Sequence, residues 1–225
     1  MKKTILSSSL LLLLALTLAG CQSVAFTTAW LIKGPNEPPE YDILLKGEKR
    51  VAIVPRSMYT NAYELQNAPQ EIARQVNSLL DENVKNKKLK VVEQSKVEAW
   101  LDNCNNDFDT FAAAGKDRSI KADIVIGIDI IGFQIRDPQN AHLMQGKCQV
   151  QVKVVECATE RILASKMLTI VYPPSMPTSG GPAAEARLRP EFIQIVAENI
   201  AALFHYHDPK KVQRMDADSI NLHRF

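Results

Sequence analysis

The sequence predicts an α/β (α+β) fold: a single mixed β-sheet with a long antiparallel hairpin and two to four helices packed on it. Three observations predict it. Two runs, Val51-Ala52-Ile53-Val54 and Ile124 to Ile131, are apolar or nearly so at successive positions, as strands covered on both faces are. Gln145 to Glu156 alternates strictly, and Ile162 to Tyr172 follows it after Thr159-Glu160, which is the pattern of a hairpin. Apolar residues recur at helical spacing at Ile72, Val76, Leu79, Leu80 and Val84, and again from Phe192 to Phe204.

The first residues come before any of this. Lys2 and Lys3 form a positive start, Leu10 to Leu18 is almost wholly apolar, and the small residues Ala19 and Gly20 precede Cys21. That is the order of a secretory signal. The run is too short for a spanning helix, which needs about 20 apolar residues. The organisation expected is a signal peptide over 1–20, a tether over 21–49, one domain over 50–207 and a charged tail over 208–225. Gly34-Pro35 and Pro38-Pro39 mark the tether as turn-rich.

The domain then reads element by element. Arg50 to Pro55 is a first buried strand. Asn67, with Gln70 three residues on and Pro69 in the first turn, caps the first helix. Lys85, Lys87, Lys88 and Lys90 at its end read as a solvated terminus favoured by the helix dipole. Leu89 to Val92 is a short strand, and Ser95-x-x-Glu98 reads as a capping box opening a helix with Val97, Trp100 and Leu101 on one face. A further helical turn is expected between Asp107 and Ala114.

Ile124, Ile126, Ile128 and Ile130 share one face of a central strand. Asp123, Gly127 and Asp129 share the other, with the aspartates making strand-end contacts and the glycine admitting a helix. The two carboxylates are six residues apart, roughly 20 Å along a strand, too far to act on one bond. In the hairpin, Cys148, Val150, Val152 and Val154 point inward and Gln149, Gln151 and Lys153 outward. Five prolines and Gly180-Gly181 between Tyr172 and Pro190 predict a long irregular loop. An amphipathic helix from Phe192 ends at His205-Tyr206-His207-Asp208.

Composition excludes some classes. The chain has 225 residues, with 27 Lys and Arg against 25 Asp and Glu, and removal of a signal holding Lys2 and Lys3 leaves 25 of each sign. A mature chain with no net charge gives no footprint for nucleic acid. Cys104, Cys148 and Cys157 remain beside Cys21, and only pairs that include Cys104 fall within disulfide reach. His205, His207 and Asp208 lack the further converging ligands that a metal site needs, so no metal and no cofactor is expected. No Gly-rich phosphate loop, Gly-x-Ser-x-Gly or His-Glu-x-x-His is present, and no catalytic residue is assigned.

Leu18-Ala19-Gly20-Cys21 resembles the bacterial lipobox, in which the cysteine sulfur receives a diacylglycerol, cleavage precedes it and the freed amine is acylated. The resemblance implies that Cys21 is lipidated and holds the protein on a membrane, and Gln22 in place of an aspartate favours the outer one. The strands Val51 to Pro55 and Ala122 to Gly127, with the hairpin turning at Thr159-Glu160, resemble the lipoprotein group containing the curli-export component and the penicillin-binding-protein activator. Their shared domain is similar to the amino-terminal domain of the Tol translocation protein. Arg136 to Gly146 is too short to add two membrane-crossing strands of about 9 to 11 residues each, which argues against a pore. The resemblance implies a non-catalytic assembly or regulatory factor on the periplasmic side of the envelope, binding a partner protein. A lipopolysaccharide-assembly lipoprotein is the alternative, and an envelope hydrolase the opposing class.

Overall fold

Val51 and Ile53 on one side of a strand and Ala52 and Val54 on the other are all fully buried, so the first strand must be covered twice. The computed structural model shows how. It describes residues 36–58, 67–136, 140, 142–174, 178–210 and 212. The chain divides into two units, Met1–Glu37 and Pro38–Phe225, and only residues 36 and 37 of the first are described.

The strands are β1 (Lys49–Ser57), β2 (Leu89–Val91), β3 (Ile124–Arg136), β4 (Leu143–Glu156), β5 (Arg161–Tyr172) and β6 (Thr178–Ser179). The helices are α1 (Ala68–Asn83), α2 (Gln94–Asn103), α3 (Phe111–Lys116) and α4 (Pro182–Ala201). Together they make a single mixed sheet in the order β2-β1-β3-β4-β5, with β6 against β4. β1 is parallel to β2 and β3, and β4 is antiparallel to both β3 and β5, so β3 is the central strand expected from its apolar run. The β4–β5 hairpin has the expected turn, with Glu160 in the left-handed region at φ 59°.

α1 and α4 cover the first face, burying Ile53, Ile126, Val152, Ile72, Val76, Phe192 and Val196 in one core. α2 and α3 cover part of the second, where Ala52, Val54, Val125 and Val155 meet Val97, Leu101 and Phe111. Beyond Val155 that second face carries Gln149, Gln151, Lys153, Ser165, Met167 and Thr169, all exposed or half-exposed. The sheet is therefore covered fully on one side and half on the other.

Four local readings are corrected. Asn67 does precede α1, but it sits at φ 63° and its side chain makes no cap bond; its carbonyl accepts the Glu71 N–H at 2.9 Å instead. α2 starts at Gln94, which puts Ser95 inside the first turn, and Glu98 accepts a bidentate pair from Arg74 of α1 at 2.5 and 3.0 Å. The stretch from Tyr172 to Pro190 is not an irregular loop throughout: it holds β6, and α4 begins at Pro182 and runs through Pro190. Proline suits the first helical turn because its missing N–H has no partner to lose there. α4 also ends sooner than expected, at Ala201, with Leu203 and Phe204 fully buried beyond it.

The chain just before β1 packs as well. A 3₁₀ turn, Asp42–Leu44, buries Leu44 completely, and the Tyr41 N–H donates to the Leu203 carbonyl at 2.8 Å.

Candidate functional site

Leu18, Ala19, Gly20 and Cys21 lie outside the described residues, as do residues 1–17, 22–35 and 213–225. No helix among the described residues is long and apolar enough to cross a membrane. No group of three His, Cys, Asp or Glu among them is placed to hold a metal ion.

Among the described residues, Cys104, Cys148 and Cys157 are three separate thiols. Burial pushes the Cys148 thiol up to about 12 and the Cys157 thiol up to about 11, the latter helped by the nearby Asp123 carboxylate. Thiols held protonated this firmly are poor nucleophiles. His205 is buried, and its Nδ1 donates to the Tyr206 carbonyl at 2.8 Å. His207 turns its own Nδ1 towards the His205 carbonyl at 3.2 Å, so both rings are engaged with backbone.

The two expected aspartates part ways. Asp123 does make strand-end contacts, accepting the Arg50 N–H at 2.8 Å on its carboxylate and the Cys157 N–H on its carbonyl. Asp129 does not; it lies in the middle of β3 and is 2% exposed. Gly127, two residues earlier on the same face, makes room for the Phe111 ring of α3, as expected.

A carboxylate so deeply buried is costly unless it is paired. Asp129 is paired twice. Arg56 of β1 donates from Nε to Oδ1 at 2.6 Å and from Nη2 to Oδ2 at 3.1 Å, and Lys153 of β4 donates to Oδ2 at 2.9 Å. The guanidinium also lies over Phe111 and Phe108, 4.7 and 5.4 Å from their ring centres. Arg56 stands directly opposite Asp129 in the parallel register, and Asp129 faces Gln151 across the antiparallel one. The cluster thus occupies the edge of the α3 covering, where the open half of the second face begins. Lys153, expected to point into solvent, is about three-quarters shielded by this arrangement. Arg56 has no counterpart among the sequence expectations; the signal for it was an aspartate alone in an apolar strand, which demands a cation somewhere on the same face.

Three further features lie on the described surface. β5 ends the strand order and exposes Ile162 and Met167, at 56% and 40%. An open cleft of about 420 Å³ runs between Tyr172, Pro173 and Thr178 on one side and Ala184, Arg187 and Leu188 of α4 on the other. A second, of about 430 Å³, lies at the opposite end of the hairpin beside Lys116, Asp123 and Cys157. Neither includes the Arg56 cluster.

No protein-family model and no curated protein sequence matches the chain. Some solved structures are similar to it in part. Lipoprotein GNA1162 from Neisseria meningitidis is 11% identical over 66% of this chain and 98% of its own, with a TM-score of 0.43. The PelC dodecamer from Paraburkholderia phytofirmans is 11% identical over 76% of this chain and 95% of its own, at 0.41. The LpoB C-terminal domain from Salmonella enterica is 15% identical over 56% of this chain and 84% of its own, at 0.31. At these identities and scores the likeness concerns outline alone.

Proposed function

We propose that this chain is a lipid-anchored envelope lipoprotein that acts without catalysis, by binding a partner protein along the open side of its sheet. Anchoring rests on Leu18-Ala19-Gly20-Cys21 behind a short apolar run. Acyl chains gain about 0.8 kcal/mol per buried CH₂, so two or three of them hold a protein on a membrane that one would leave. Gln22, where an inner-membrane retention signal would carry aspartate, supports the periplasmic face of an outer membrane as its site.

The observation that carries partner binding is β5. An edge strand presents unpaired backbone groups along one side, and here it adds two exposed apolar side chains, Ile162 and Met167.

Two experiments test the proposal separately. Cys21→Ala moves the protein from the membrane to the soluble fraction, and mass spectrometry of the native protein finds a lipidated Cys21 as the first residue. Continued attachment, or an unmodified thiol, overturns the anchor. A photo-crosslinking side chain at Ile162 yields one discrete adduct in intact cells, which Met167→Lys diminishes. No adduct, or one indifferent to Met167, removes β5 as the contact.

A further inference from the structure

Resting on that reading of a protein-binding factor, we infer that the partner places an acidic side chain on Arg56 and Lys153, where the half-covered face of the sheet opens. The argument starts from charge. Among the described residues, Asp129 is the one carboxylate within ion-pair distance of either cation, so two positive groups share a single negative one. Each is about three-quarters shielded from water, at 25% and 24% side-chain exposure. A positive charge held in a partly desolvated place is satisfied best by a second anion at hydrogen-bond distance.

Donors remain for it. The bonds to Asp129 use Nε and Nη2 of Arg56, leaving Nη1, and they use one of the three protons of the Lys153 ammonium. The two rings beneath the guanidinium and the carboxylate beside it fix Arg56 in place, so little order remains to be imposed on binding.

The surroundings select a protein side chain over a free anion. Gln151 stands across from Asp129, and Met167, exposed, stands across from Gln151, so the cations border a flat face with an apolar side chain on it. Neither cleft described above includes the two cations, and polar faces with apolar centres suit protein contacts.

The probe is a fluorescein-labelled hexaglutamate peptide, read by anisotropy against the full-length lipidated protein in detergent micelles. Saturable binding that weakens as salt rises is expected. Lys153→Met, which leaves Arg56 and Asp129 balanced, weakens it by roughly tenfold, and Arg56→Gln does the same. Asp129→Asn removes the competing carboxylate and tightens it. Lys88→Gln, an exposed lysine elsewhere, leaves it unchanged.

A purely structural ion cluster gives equal binding in all the cluster variants and overturns the inference. So does an equal loss with Lys88→Gln, which would make the binding one of overall charge. Displacement of the peptide by inorganic phosphate beyond that given by sodium chloride at the same ionic strength also overturns it, in favour of a small-anion site. Should Asp129→Asn fail to fold, Lys153→Met and Arg56→Gln still decide. None of these outcomes touches the Cys21 fractionation or the Ile162 crosslink, so failure here is separable from failure of the proposed function.

Discussion

Gly127 and His205 show how single residues set limits on this fold. A Cβ at Gly127 would stand 2.6 Å from the Phe111 ring, a distance real atoms do not keep, so α3 would have to move off β3. Gly127→Ala is expected to cost about 1–3 kcal/mol, the usual range for overpacking, seen as a lower urea midpoint with an unchanged slope. His205 behaves differently because its penalty depends on pH. Desolvation holds its imidazole below the ordinary 6.5, with the neighbouring His207 adding to the effect and the Tyr206 carbonyl opposing it. The unfolded chain therefore binds a proton more readily than the folded one. Stability is flat above pH 6.5 as far as this group is concerned and falls as pH drops below it. His205→Gln is expected to flatten the slope of unfolding free energy as pH falls below about 6.5, measured by urea titration at each pH.

At the level of elements, α4 carries the largest departure from expectation. Read locally, Pro182 and Pro190 are both breakers. In the structure Pro182 lies at the helix start and Pro190 on an exposed position, two and three residues before the buried pair Phe192 and Ile193. Packing of that pair against the sheet outweighs the carbonyl that Pro190 leaves without its helical donor. Pro190→Ala restores the donor to the Ala186 carbonyl and is expected to raise stability by about 1–3 kcal/mol, read as a higher urea midpoint. The strands were far more legible, because alternation with period two in β4 and the apolar run in β3 report burial directly. Capping was not, since Glu98 is claimed by Arg74, 24 residues away, and no local pattern announces a tertiary partner.

At the level of the whole molecule, the Arg56–Asp129–Lys153 cluster was illegible for the same reason made larger. Arg56 and Asp129 are 73 positions apart and meet only through the parallel register of β1 on β3. Asp129 reads locally as a strand-end contact, and nothing in its neighbours names the cation that meets it in mid-strand. The open half of the second face is set by where α2 and α3 sit: they pack over β1, β3 and the Val155 end of β4, and no described helix covers that face of the rest of β4 and β5.

The bond between the Tyr41 N–H and the Leu203 carbonyl, backed by the Tyr41 and Phe204 rings at 5.9 Å, brings the first and last packed segments side by side. Circular permutation is therefore open to this domain. Splicing Asp208 to Glu40 through a few glycines and cutting the exposed turn between Thr159 and Glu160 should give a rearranged chain whose urea midpoint stays near that of the parent. A permutant that cannot fold would mean that the two ends need freedom which this bond conceals.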